Sequence, residues 1–245
     1  MSDIDQTNLA RRLGLVGGFG VGAAVYYYQE LAKAHEARGI TLNLVMVHAD
    51  ISKARRQVEA NDRAGLAEYL ANLIRPLEAA GAEVAAIAAV TPHMCLEELT
   101  ARSTLPLVDP LHCTREGIGN RRVALFGTRI TIESDMFGAL KGLDVVRPRP
   151  EEILYLNDTY FQIASSGTAS DDQRTGLTAL ACTLLQRDKL DAIVIAGTDL
   201  SPLFEESITN FPFIDCSRLH IDAIMQALHP FITGVNTCSQ ELTRS

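Results

Sequence analysis

Ala86-Ile87-Ala88-Ala89-Val90-Thr91-Pro92-His93 and its distant counterpart Ala192-Ile193-Val194-Ile195-Ala196-Gly197-Thr198-Asp199 decide how this chain is read. Each is a run of small and β-branched apolar residues that stops at a threonine followed by an ionisable group. A run of that length and composition predicts a strand buried on both faces, as in a parallel sheet. Polar groups just beyond the carboxyl end of such a strand lie where open α/β sheets bind ligands. The two threonines are 107 residues apart (198 − 91), which predicts two similar halves facing one site.

Other pairs recur at nearly the same offset. Leu13 and Val123, each opening an apolar run, differ by 110, and Asp109 and Asp215 differ by 106. Leu105-Pro106-Leu107-Val108-Asp109 matches Phe211-Pro212-Phe213-Ile214-Asp215 position by position, with His112 and His220 following. Two copies of one α/β unit account for this better than a many-copy array. Strand and helix alternate, which implies parallel sheets with right-handed crossovers. The expected fold is α/β, with two pseudo-symmetric Rossmann-like domains and a cleft between them. One domain comprises residues 1–116 plus 217–245, because a helix over 221–228 is expected to return to the first half. The other comprises 117–216.

Within this frame the expected strands are 13–16, 42–47, 105–109, 122–126 and 192–196, with a strand end near 145–148. Helical stretches are expected over 23–37, 52–81, 97–101, 134–140 and 171–187. Leu66, Leu70, Leu73 and Leu77 form a core-facing stripe. The small polar stretch 165–170 is either a cover over the site or a plain connection. The tail after 235 is expected to fray.

Composition narrows the function classes. The 245 residues carry 22 basic and 30 acidic side chains, a net charge of −8, which argues against nucleic-acid binding. No apolar run reaches the roughly 18 residues of a membrane span. Five cysteines with no metal-ligand spacing favour reduced thiols over a disulfide framework, and no metal site is expected. The polar, acidic opening is unlike a secretory leader, so the expected location is the cytoplasm.

Several further stretches bear on identity: Leu15-Val16-Gly17-Gly18-Phe19-Gly20 with Tyr26-Tyr27-Tyr28, Leu77-Glu78-Ala79-Ala80-Gly81-Ala82, Phe126-Gly127-Thr128-Arg129-Ile130-Thr131-Ile132-Glu133-Ser134, and Ile214-Asp215 followed by His220. Together they resemble the aspartate/glutamate racemase superfamily from Leu13 to Leu228. The resemblance implies two α/β domains with the active site between them, often in a homodimer, and proton transfer at an amino acid without any cofactor. In that superfamily two thiols act, in motifs similar to Cys-Asn-Thr-x-His and Gly-Cys-Thr-Glu. Here Ala89 and Gly197 stand at the two cysteine positions, Val90 replaces the asparagine, and Asp199 stands for the glutamate. Alanine and glycine carry no transferable proton, so two-thiol racemisation is not expected.

The remaining candidates follow from these motifs. His93 and Asp199 are candidate acid/base groups, or else His93 pins a loop. Thr91 and Thr198 are candidate carboxylate ligands, as are Thr128 and Thr131 unless they cap the next helix. Gly18 lies in a glycine-rich turn that either presents backbone N–H groups to an anion or serves only as a turn. Gly18 to Ala23 also fits G-x-G-x-x-A, but no acid closes the second strand at the spacing a dinucleotide site requires. Asp50 either meets ligand or caps a helix, and Arg55 or Arg56 could pair with a carboxylate. Cys95 and Cys216 are alternative thiols. The leading expectation is an enzyme acting on an amino acid or related small carboxylate by one-sided chemistry, as a lyase, decarboxylase or isomerase. The alternative is a silent homologue that binds such a carboxylate as a sensor or partner subunit.

Overall fold

The computed structural model describes residues 11–205 and 208–230. The frayed tail expected after 235 lies outside them. The first half runs β1 (Leu13–Gly17), α1 (Val21–Glu36), β2 (Leu44–His48), α2 (Ile51–Glu59), α3 (Arg63–Ala79), β3 (Val84–Ile87), a 3-10 turn (Thr91–Cys95), α4 (Leu96–Thr100) and α5 (Pro110–Ile118). The second runs β4 (Val123–Phe126), α6 (Arg129–Glu133), α7 (Pro150–Ser166), α8 (Asp171–Asp188), β5 (Ala192–Ile195), a 3-10 turn (Ser201–Leu203), β6 (Phe213–Asp215) and α9 (Cys216–Leu228).

Two parallel sheets result, ordered β2-β1-β3 and β4-β5-β6. Each gains one further position as a single bridge. Leu107 pairs with Ala85 beside β3, and Val145 pairs with Val123 beside β4. Both halves therefore follow one four-position plan, shortened at opposite edges. The stretch 105–109, expected as a full strand, is that single bridge. Pro106 has no N–H to donate, and Asp109 already caps α5 by accepting from the Leu111 N–H at 2.8 Å.

The strands β1, β3, β4 and β5 are buried throughout. On the first sheet, α3 lays Leu66, Leu70, Ile74 and Leu77 on one face. On the opposite face, Ile224, Met225 and Leu228 of α9 pack with Leu13, Leu15, Tyr27 and Leu31. The last helix thus completes the core of the first sheet.

Two helical expectations are corrected. The span 52–81 is two helices, because Asn61 turns to φ 52° and Asp62 starts α3 by accepting from the Gly65 N–H at 2.9 Å. The span 134–140 is not helical: Asp135, Met136 and Phe137 have φ of 50°, 51° and 59°. Ser134 ends α6 locally. Its hydroxyl donates to the Ile130 carbonyl and accepts from the Phe137 N–H at 2.9 Å, in competition with the helical ladder. Sequence reading also left out α5 and α7. Among the described residues no helix is long and apolar enough to cross a membrane.

Candidate active-site cleft

A cavity of about 690 Å³ opens between the halves, above the carboxyl ends of β3 and β4. The first half contributes Phe19, Arg55, Val58 and the run Ala89-Val90-Thr91. The second contributes Thr128, Arg129 and Ile130 near α6, and Tyr160 and Phe161 from α7. The end of the first apolar run, Ala89 to Thr91, therefore borders the cavity, and no residue of the second run does.

Three threonine hydroxyls link the halves at its wall. Thr91 Oγ1 lies 3.5 Å from Thr128 Oγ1, which lies 2.8 Å from Thr131 Oγ1. Thr128 also caps α6 by accepting from the Thr131 N–H at 3.3 Å. Thr91 and Thr128 border the cavity, whereas Thr131 and Thr198 are buried and do not. Across the mouth, the Arg55 guanidinium sits 5.6 Å from the centre of the Phe161 ring.

The position of Gly197 is decided by a residue the sequence reading missed. A Cβ placed on Gly197 would lie 2.6 Å from Cε2 of Tyr160. The tyrosine ring thus fills the space a side chain at 197 would use. The Tyr160 hydroxyl donates to Asp199 Oδ2 at 3.0 Å, while Asp199 Oδ1 accepts from the Ala23 N–H at 3.1 Å. Asp199 is buried and does not border the cavity. Burial pushes its carboxyl up, against the opposing pull of the Tyr160 and Ala23 hydrogen bonds. Burial, then the Asp199 charge, pushes the Tyr160 phenol well above its ordinary range. A signal for Tyr160 was present in the sequence: Ile153, Leu156, Tyr160 and Ile163 lie on one helical face.

Gly20 completes this contact. It precedes α1 without any side chain to cap it, and a Cβ there would collide with the Asp199 carboxylate. Gly18, at φ +91°, packs so close that a Cβ would fall 2.7 Å from the Ala49 backbone nitrogen. Its place in the turn is therefore fixed by packing, away from the cavity wall. Asp50 caps α2, accepting from the Ser52 and Lys53 N–H groups at 2.9 and 3.4 Å.

His93 lies outside the main cavity. It borders a second one of about 340 Å³, together with Asp109, Arg63 and Arg115. Only 2% of it is exposed, and its Nδ1 is buried with no hydrogen-bond partner among the described residues. Burial lowers its pKa, partly offset by Asp109. Its ring stands perpendicular to His220 at 6.3 Å. His220 Nε2 lies 3.0 Å from the Val108 carbonyl and Nδ1 lies 3.0 Å from the Tyr27 hydroxyl, so the neutral ring donates to the first and accepts from the second. Burial, and then His93, pushes His220 down to about 3.

Neither alternative thiol reaches the main cavity. Cys95 is buried, donates to the Pro92 carbonyl at 3.3 Å, and is pushed by burial up to about 12. Cys216 is fully buried at the start of α9, and burial raises its thiol well above the usual range. The structure thus brings Ala89, Thr91 and Thr128 to the cavity lining, with Arg55 at its mouth. It places His93, Asp199, Thr198, Thr131, Gly18 and Asp50 behind that lining or elsewhere.

Comparison with known proteins matches residues 16–224 to a family model described as Asp/Glu/hydantoin racemase. The chain belongs to the Asp/Glu/hydantoin racemase family. Solved structures agree on the fold. An aspartate racemase homologue from Pyrococcus horikoshii is similar at TM-score 0.73 and 23% identity, over 89% of this chain and 99% of that one. An aspartate racemase from Picrophilus torridus is similar at TM-score 0.70 and 20% identity, over 89% and 94%. A maleate isomerase from Pseudomonas putida is similar at TM-score 0.57 and 16% identity, over 89% and 92%. As a racemase-family chain, this protein shares the α/β fold of those solved structures.

Proposed function

We propose that this racemase-family protein binds a small carboxylate, an amino acid or a related acid, in the cleft beside Ala89 and does not racemise it by the two-thiol route. One observation carries the reading: Tyr160 fills the space beside Gly197, and position 89 offers only a methyl group. Racemisation needs a proton acceptor on one face of the substrate and a donor on the other. Thr91 and Thr128 offer hydroxyls for a carboxylate, and Arg55 and Arg129 offer charge at the rim. The carboxylates that border the cleft, Glu59 and Glu133, are more than half exposed and each stands beside an arginine. Such groups hold charge at the entrance and do not face a substrate carbon from two sides.

A second reading is one-sided chemistry, as in a lyase, decarboxylase or isomerase. It is favoured by the Tyr160–Asp199 pair. That pair places a phenol, the only proton-bearing acid of its kind among the described residues of the cavity lining, against a carboxylate that can accept its hydrogen bond. The division into 1–116 plus 217–245 and 117–216, the homodimer and the cytoplasmic setting belong to the same proposal. The docking of α9 on the first sheet supports the division, and the free thiols at Cys95, Cys113, Cys182 and Cys216 support the setting.

The test is proton NMR in deuterated water with a panel of amino acids and small mono- and dicarboxylates. Line broadening without exchange or product supports the binding protein. Loss of the α-proton signal or a new product, abolished by Tyr160→Phe, supports one-sided chemistry. Exchange with inversion in the wild-type protein sinks the proposal. His93→Ala completes the set, since a residue outside the cavity should leave ligand affinity unchanged.

A further inference from the structure

We infer that the cleft selects carboxylates bearing an aromatic or bulky apolar arm over dicarboxylic amino acids of the size of aspartate. This inference rests on the carboxylate-binding reading and names the ligand class within it. Its first support is size. The cavity of about 690 Å³ falls in the range that encloses drug-sized molecules, far more room than a four-carbon acid fills.

The second support is where charge and grease sit. Beyond Thr91, the inner wall is Ala89 and Val90, both buried, and Val90 stands where the resemblance places an amide. Val90 and Ala89 offer nothing to the polar end of a second carboxylate. Phe19, Val58 and Ile130 continue the same surface from three separate elements. The two arginines that border the cavity are both at its rim, with side chains 65% and 59% exposed. A dicarboxylate anchored on the threonines finds cationic partners for its second charge, among the described residues, only at the exposed rim, where Arg55 and Arg129 already pair with Glu59 and Glu133. That charge loses solvation wherever it meets the apolar wall. An apolar arm in the same place leaves water and gains by it.

The third support lies at the mouth. Phe161 is 40% exposed, with the Arg55 guanidinium over its ring and the Tyr160 ring packed against it in a T-shaped arrangement at 5.7 Å. An aromatic arm rising from the threonines would meet this ring and that cation together, a pairing that aromatic and guanidinium planes favour.

The inference is tested by calorimetric titration of the intact chain with phenylacetate, aspartate and 2-phenylethanol. Phenylacetate is expected to bind about tenfold more tightly than aspartate or better. Phe161→Ala should weaken phenylacetate by about fivefold and leave aspartate within about twofold. Phe161 is partly exposed, so its truncation spares the core. Thr91→Val should weaken both acids together. Aspartate binding as tightly as phenylacetate overturns the inference and leaves the carboxylate reading standing. Unchanged phenylacetate binding in Phe161→Ala also overturns it. If 2-phenylethanol binds as well as phenylacetate, the carboxylate reading itself fails. Absence of binding by all three overturns both.

Discussion

The carboxylate of Asp199 holds the backbone N–H of Ala23 at 3.1 Å, although 176 residues separate them. Gly20 leaves the start of α1 without a cap of its own, so the second half supplies the acceptor that the first half lacks. A carboxylate at a helix N-terminus also meets the positive end of the helix dipole. The same group accepts from Tyr160 and so fixes the ring beside Gly197.

Removing this cap is expected to destabilise the protein. Asp199→Ala leaves the Ala23 N–H and the Tyr160 hydroxyl unpaired, and should cost about 2–4 kcal/mol in urea unfolding. Asp199→Asn keeps an acceptor for Ala23 and should cost less than half of that. Equal losses in the two variants would show that the cap is not what Asp199 contributes.

Restoring a thiol at position 197 should also be costly. Gly197→Cys forces a Cβ into the Tyr160 ring and is expected to cost about 1–3 kcal/mol by overpacking. In combination with Tyr160→Ala, the two losses should sum to less than their separate values by about 1–2 kcal/mol. Additive losses would mean that the ring moves aside freely.

Gly18→Ala combines a left-handed φ of +91° with a collision against the Ala49 backbone. The two effects together are expected to cost about 2–4 kcal/mol, read as a lowered denaturation midpoint. A loss below about 0.5 kcal/mol would mean that the β1–α1 turn relaxes.

Acid should weaken the fold through His220. Its pKa is lowered from 6.5 in the unfolded chain to about 3 in the folded one, so the native state holds the ring neutral. That contribution is fully present above pH 6.5 and is lost as the pH falls from there toward 3. Well inside this window the slope per histidine approaches about 1.4 kcal/mol per pH unit. His93, lowered in the same direction, adds to it. Asp199 and Asp215, whose carboxyls are raised, act in the opposite sense nearer pH 4 and are common to both proteins compared. Stability measured between pH 6 and 5 should therefore fall less steeply in His220→Gln than in the wild type. Parallel slopes would refute the assignment.

The sheets were legible because buried parallel strands write continuous apolar runs: β5 lies inside the stretch that predicted it, whereas β3 starts two residues before its stretch and ends at Ile87. Of the threonines that end the two runs, Thr91 borders the cleft and Thr198 is buried away from it, while Thr128, which belongs to another motif, borders it as well. What sequence hid was direction. His93 sits two residues beyond Thr91, yet the 3-10 turn carries it into a different cavity. Asp50 read equally as a ligand or a cap, and it spends its carboxylate on a helix start, as Asp62, Asp109 and Asp215 also do. The missed helix α7 begins with Pro150-Glu151-Glu152, a recognisable helix opening, and it carries Tyr160 and Phe161. Its apolar residues made no repeat with the first half, so the two-copy pattern drew no attention to it.

The docking of α9 on the first sheet also sets an order of events during synthesis. Leu13, Leu15 and Leu31 emerge from the ribosome early, but Ile224, Met225 and Leu228, which cover them, emerge almost 200 residues later (224 − 31 = 193). The β4-β5-β6 sheet has all its strands once residue 215 is out. The nascent chain must therefore carry one uncovered apolar sheet face while the later sheet closes, which makes that face the natural place for a chaperone to hold the growing protein.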